Sequence, residues 1–137
     1  MNIVYRKTKD FDLDSLKELY LSVGWKLGND PHKLQISMIN SHNVFSAWDG
    51  NKLIGIINCL SDGIATVYLN NLLVDSKYQG KGIGSTLINM MLEEYKEYNK
   101  KILIAEKDKT SFYEALGFKA GYDVVPMSYI DKRCKDN

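Results

Sequence analysis

The chain has 137 residues, 45% of them hydrophobic, enough for one domain around one core with no room for a second. Its 18 basic and 17 acidic residues leave a net charge of +1, and no Lys/Arg-rich block occurs in the folded part, so no extended site for nucleic acid or membrane is expected. The longest apolar run, Leu53 to Leu60, is interrupted by Gly55 and Asn58 and falls far short of the ~20 residues of a spanning helix, while Met1 to Arg6 alternates like a strand rather than a signal peptide, so a cytoplasmic protein is expected.

Ile3 to Arg6 reads as the first strand. Asp12 to Val23 reads as a helix with Leu13, Leu16, Leu19 and Tyr20 on one face, capped by Asp10 or Asp12 and ended by Gly24. Trp25 to Asn29 is expected as a loop. Asp30-Pro31 then opens a second helix, with an N-cap acid and proline at the first position, burying Leu34, Met38 and Ile39. Val44 to Trp48 and Lys52 to Leu60 make a hairpin about Asp49-Gly50-Asn51. A second turn, Ser61-Asp62-Gly63, leads into a strand from Ile64 to Val74.

Ser85 to Tyr98 carries Leu87, Ile88, Met91, Leu92 and Tyr95 at three-and-four spacing, a helix packed on the sheet with Met90 and Met91 as core filler. Ile102 to Ala105 is a short strand parallel to the preceding one. Lys109 to Leu116 is a helix stopped by Gly117, and Phe118 to Tyr122 with Met127 to Ile130 are two closing strands. The expected fold is α/β (α+β), a mixed and mostly antiparallel sheet of about seven strands flanked by about four helices. A single domain is expected over residues 1–131, followed by a polar tail over 132–137.

Gln79-Gly80-Lys81-Gly82-Ile83-Gly84 stands between that strand and that helix. Three glycines free the backbone and keep side chains out of the way, so several N–H groups can point at one anion, and the helix start adds its own free N–H groups and dipole. A pyrophosphate cradle is expected. A P-loop would need Lys after the last glycine, where Ser85 stands, and a dinucleotide fingerprint counted from Gly80 would need glycine at that same Ser85. Cys59, in an apolar strand, reads as a small core residue, and Cys134 lies in the polar tail. His32 and His42 flank a helix in surface or capping roles, so no metal is expected.

The spacing that fits is Gln/Arg-x-x-Gly-x-Gly/Ala after a Leu-x-Val-like triplet, and in it the chain resembles the GNAT superfamily of acetyl-CoA-dependent N-acetyltransferases. Ser111-Phe112-Tyr113-Glu114-Ala115-Leu116-Gly117-Phe118 is similar to the family's later motif, an aromatic pair on a short helix closed by Gly-Phe, at the interval the family uses. The order of elements agrees, and the resemblance covers most of the chain, with Val23 to Asn43 the segment where such proteins differ most. It implies a GNAT-like acyl-CoA N-acyltransferase fold. The strands on either side of the cradle and its helix would splay apart and admit the pantetheine arm.

By position, the resemblance implies that Leu72, Leu73 and Val74 make main-chain bonds to that arm, that Gln79, Gly80, Lys81, Gly82, Ile83, Gly84 and Ser85 hold the pyrophosphate, and that Phe112 supplies apolar contact. A neutral amine would attack the thioester, with a backbone N–H of Leu73 or Val74 facing the carbonyl oxygen. Tyr113 matches the tyrosine that protonates the departing thiolate, as a phenol of pKa ~10 remains protonated near neutral pH. Where some members carry a glutamate base on the strand before the cradle, this chain has Tyr68, with Asn70 and Asn71 nearby. Glu106, Asp62 and Asp123 are the other candidates for a base, while a water chain or an amine already neutral on arrival needs none. Trp25 and Asp123 in the variable segments suit an ammonium through an aromatic face and a carboxylate. The expected acceptor is the primary amine of a small molecule. A protein lysine, an N-terminal amine or an acyl-CoA-binding module without turnover are the alternatives, and a homodimer is left open.

Overall fold

Local capping sets the first boundaries in the computed structural model, which describes residues 2–130. After the strand β1 (Ile3–Lys7), the Asp12 carboxylate accepts the Ser15 N–H at 2.7 Å and starts α1 (Leu13–Ser22). Leu16, Leu19 and Tyr20 are buried as expected, whereas Leu13 is half-buried. Trp25 to Asn29 is not an open loop: Lys26–Asn29 forms a 3-10 turn, into which Trp25 contributes its carbonyl as acceptor for the Gly28 N–H. Asp30 then caps α2 (Pro31–Asn40), accepting the Lys33 N–H. Leu34 and Met38, one turn apart, face inward. Ile39 is 56% exposed, a correction that follows from its position about 100° around the helix from Met38.

The strands β2 (Asn43–Asp49), β3 (Lys52–Ser61) and β4 (Thr66–Val74) form an antiparallel meander beside β1, and β5 (Lys100–Leu103) joins β4 in parallel after the crossover helix α3 (Ile83–Glu94). The strand order is β1-β2-β3-β4-β5. The expected parallel crossover is present, although β5 starts two residues early and α3 runs from Ile83 rather than Ser85 and ends at Glu94, capped by Tyr95, rather than at Tyr98. Phe11, Leu16, Leu19, Tyr20, Leu34 and Met38 pack with Val44, Trp48, Leu53, Ile56 and Leu73 into a core on one face of the sheet. On the other face α3 sets Leu87, Ile88 and Met91 against the strands, with Met90 and Leu92 only half-buried. Gly55 permits this approach, since a Cβ there would stand 3.1 Å from Ile83 Cγ2 and 3.2 Å from Leu87 Cδ1. Tyr95 closes that face, its buried hydroxyl meeting His42 Nδ1 at 2.6 Å, Asn43 Nδ2 at 2.7 Å and Cys59 Sγ at 3.0 Å. Cys59 is buried, as expected of a core residue, and burial pushes its thiol pKa up.

The chain divides after Leu103 into two compact units. In the second, a 3-10 turn over Lys107–Lys109 leads into α4 (Thr110–Ala115), and Gly117 ends it with a φ of 103°. The sheet has five strands among the described residues, not seven: Phe118 to Tyr122 and Met127 to Ile130 form none. Tyr122, Met127 and Tyr129 are at least nine-tenths exposed, and β-prone side chains do not hold a strand without a neighbour to pair with and a face to bury. The tail over 132–137, with Cys134, lies outside the described residues. The fold class holds: among the described residues, a mixed, mostly antiparallel sheet with four α-helices.

Candidate active site

The parallel pair parts early. β4 and β5 are in register from Thr66↔Lys100 to Leu69↔Leu103, after which β4 continues to Val74 with β3 on one side only. A bulge marks the parting: Asn58 pairs with Asn71 and Cys59 with Leu69, leaving Asn70 as the extra residue. It reverses the alternation, so Leu69 shares the α3 face with Cys59 while Leu73 shares the α1 face with Ile56. Asp75 turns its N–H toward β3, donating to Ile54 O at 2.8 Å. Because both polar groups of a residue in an antiparallel strand point the same way and alternate along it, Leu73 also faces β3, whereas Leu72 and Val74 face the open edge. The Gln79 side chain confirms that direction by donating to Val74 O at 3.0 Å.

The cradle follows directly. Asp75, 4% exposed, accepts the Lys77 N–H at 2.9 Å and starts a 3-10 turn over Ser76–Tyr78, with Lys52 Nζ 3.7 Å from its other oxygen. Tyr78 pins this turn to the β2–β3 hairpin through a 2.7 Å hydrogen bond from its hydroxyl to Asp49, which also raises its phenol pKa. Gly80 and Gly82 take φ values of 80° and 81°, the left-handed region, and a Cβ at either would meet nothing within 4 Å. Gly82 caps α3 with no side-chain hydrogen bond, and the first intrahelical bond is that of the Thr86 N–H to Gly82 O at 3.1 Å. The N–H groups of Ile83, Gly84 and Ser85 therefore point out of the helix start at the positive end of its dipole. Ile83 contributes only its backbone there, since its side chain is buried. Gln79, Gly80, Lys81 and Gly82 are exposed.

The other expected site residues occupy varied settings. Trp25 packs edge-on against Tyr20, with ring centroids 5.9 Å apart, and covers the core beside α1. Asp62 Oδ1 accepts the N–H groups of Ile64, Ala65 and Thr66, which hold its carboxyl down at about 2 and make it a weak base bound into its own turn. Tyr68 is half-buried opposite Leu60 and Ile102. In the second unit, Glu106 precedes the 3-10 turn and Asp123 lies in an exposed loop. Half-buried Tyr113 stands edge-on between Phe112 and Phe118, at 5.0 Å and 6.0 Å. Burial, and secondarily the Glu106 charge, raise its phenol pKa and keep its proton in place at neutral pH.

Sequence reasoning passed over two buried polar side chains. Tyr20, read as a core position, is fully buried, and Asn58, read as an interruption, is 3% exposed. A lone amide inside an apolar strand was the signal available for Asn58. Among the described residues no group of His, Cys, Asp and Glu is arranged to hold a metal.

One strand with an unpaired edge thus runs into a loop with Gly80 and Gly82 at positive φ and the free N–H groups of a helix start. Residues 40–120 match the family description "Acetyltransferase (GNAT) domain", and the chain belongs to that family. It is 30% identical over 123 residues to the uncharacterised N-acetyltransferase ycf52 of Pyropia yezoensis, covering 85% of this chain and 70% of that one. A histone acetyltransferase of Glycine max is also 30% identical, over 86% of this chain and 56% of its own length. A GNAT-family acetyltransferase of Streptococcus pneumoniae TIGR4 superposes with a TM-score of 0.83 at 30% identity, covering 96% of this chain and 99% of that one. The protein is an acyltransferase of the N-acetyltransferase type, and GNAT domains use acetyl-CoA as cosubstrate.

Proposed function

We propose that the chain transfers the acetyl group of acetyl-CoA directly to the primary amine of a small molecule in a ternary complex, as a cytoplasmic enzyme. The observation that carries this reading is the open edge of β4 running into the cradle. Leu72 and Val74 offer backbone groups to an extended amide-bearing arm, and the N–H groups of Gly82, Ile83, Gly84 and Ser85, with Lys81 beside them, offer donors to its pyrophosphate. The bound cosubstrate supplies an activated thioester. The Val74 N–H is the donor assigned to the carbonyl oxygen as it gains charge, in preference to that of Leu73, which is turned to β3. Tyr113 is assigned the proton that the departing sulfur takes, a role that its raised pKa permits and that rests on the family motif.

An open cleft of about 650 Å³ on the α2 face, with Asn70 in its wall, supports a small acceptor. A protein lysine is the second reading, favoured by the histone acetyltransferase among the relatives. The deciding experiment measures coenzyme A release from acetyl-CoA with small amines, with lysine peptides and with neither. Release that depends on small amines supports the reading. Release that depends only on peptides replaces it with the second.

A further inference from the structure

Gly80 and Gly82 are open where a side chain would stand, since a Cβ at either would meet nothing within 4 Å, and Gln79 to Gly82 are all exposed. Glycines in open space have no fixed conformation of their own, so the peptide planes of this stretch are oriented from its ends. One end is Ile83, whose buried side chain anchors the start of α3. The other is the 3-10 turn over Ser76–Tyr78, and the tip of the β2–β3 hairpin holds it from outside. Asp49 and Lys52 are the closing register pair of that hairpin, and each reaches across to the turn. The Tyr78 hydroxyl donates to Asp49 Oδ2 at 2.7 Å, and Lys52 Nζ stands 3.7 Å from Asp75 Oδ2 and 5.6 Å from the centre of the Tyr78 ring. The Asp49 bond raises the Tyr78 phenol pKa and so keeps its proton in place as the donor. Lys52 sets a cation beside Asp75, which is 4% exposed and would otherwise present an unbalanced negative charge at the foot of an anion site. Gln79 adds a tie within the loop, to Val74 O at 3.0 Å, but is itself exposed.

We propose that Asp49 and Tyr78 are positioning residues for the pyrophosphate: the hairpin tip clamps the turn that leads into the cradle, and this clamp selects thioesters that carry a pyrophosphate over those that do not. The proposal deepens the reading of Gln79 to Ser85 as the pyrophosphate site of acetyl-CoA and rests on it. With the Tyr78 hydroxyl on Asp49, the chain enters Gln79 in one direction, and the Gly82 N–H and the Lys81 side chain are presented beside the free N–H groups of the helix start. Without that bond the turn swings, the two glycines sample other dihedrals, and an arriving anion has to reorder them. The penalty falls on the part of the ligand that touches the cradle. The pantetheine arm is spared, because Leu72 and Val74 are fixed by their own ladder to β3 as far as Gly55↔Val74 and by the Asp75 N–H on Ile54 O at 2.8 Å. Neither Asp49 nor Tyr78 is assigned a contact with the ligand, so their effect passes through the backbone of the loop.

The test compares two probes on the full chain, acetyl-CoA and S-acetylpantetheine, the same thioester arm without pyrophosphate or nucleotide, by NMR titration up to millimolar ligand. The wild type is expected to bind acetyl-CoA at least roughly a hundredfold more tightly, the value of two charge-assisted hydrogen bonds. Tyr78→Phe keeps the ring and removes only the hydroxyl. It is expected to weaken acetyl-CoA roughly three- to tenfold and leave S-acetylpantetheine unchanged, so that the ratio of the two affinities falls. Asp49→Ala should do the same, and the double variant should be no weaker than the weaker single one, because both changes remove one bond. Asp49→Asn, which still offers an oxygen to the hydroxyl, should recover most of the ratio. A residue needed only for stability would lower the melting temperature and weaken both probes together, and that result overturns the proposal. A wild-type ratio in folded Tyr78→Phe and Asp49→Ala proteins also overturns it while leaving the pyrophosphate site intact. Equal affinity of the wild type for the two probes overturns the reading of the loop as a pyrophosphate site.

Discussion

Gly82 offers a sharp perturbation of the cradle, because its backbone conformation and its surroundings make opposite demands on a side chain. A Cβ would meet nothing within 4 Å, so Gly82→Ala creates no clash and the protein should still fold. Its φ of 81° costs an L-residue roughly 1–2 kcal/mol. If the strained dihedral is kept, that cost appears as a melting temperature lower by roughly 3–10 °C for a chain of this size. If it is relieved by rotation, the peptide planes on either side of residue 82 turn and the N–H groups of Gly82 and Ile83 leave the anion. Loss of one or two charge-assisted hydrogen bonds at roughly 1.5–3 kcal/mol each then weakens binding by at least roughly tenfold. Titration calorimetry with acetyl-CoA, beside circular dichroism melting, reads both effects. A folded Gly82→Ala protein with wild-type affinity and wild-type melting temperature would refute the assignment of this loop as a strained phosphate cradle.

Gly55→Ala inserts a methyl 3.1–3.2 Å from Ile83 and Leu87 and should cost roughly 1–3 kcal/mol by overpacking, read in denaturant melts, with weaker acetyl-CoA binding as the start of α3 is displaced. Tyr113→Phe should keep acetyl-CoA affinity and lower kcat roughly tenfold to a thousandfold; a wild-type rate on an accepted amine would make Tyr113 structural. Asp62→Ala should lower the melting temperature at neutral pH. Because the folded-state pKa is depressed to about 2, the carboxylate's contribution is present above the ordinary value of 3.8 and lost as pH falls toward 2, so melts of both proteins over that range should converge. A gap that stays constant to pH 2 would exclude the three N–H bonds as its source.

The loop between β4 and α3 was legible in the sequence because glycines at positive φ are a local requirement, and Gly80 and Gly82 meet it. Asp12 and Asp30 were legible as caps for the same reason, since a carboxylate at a helix start serves its own next turn. The parallel β4–β5 pair followed from strand, helix and strand in succession. The bulge at Asn70 was not legible, because it depends on the register of β4 against β3 and the residues themselves alternate without a break. The burial of Asn58 is likewise a consequence of that register. The strands expected over residues 118–130 failed for the converse reason. Their sequence has β propensity, but propensity alone supplies neither a pairing edge nor a buried face.

The account stands on the outward-facing backbone of β4, and amide hydrogen exchange in the folded protein reads it directly. With saturating acetyl-CoA, the N–H groups of Leu72 and Val74 should gain protection together with those of Gly82 to Ser85. Leu73, already turned to β3, should be protected with or without it. Protection that rises at Leu73 and leaves Leu72, Val74 and the cradle unchanged would contradict the account.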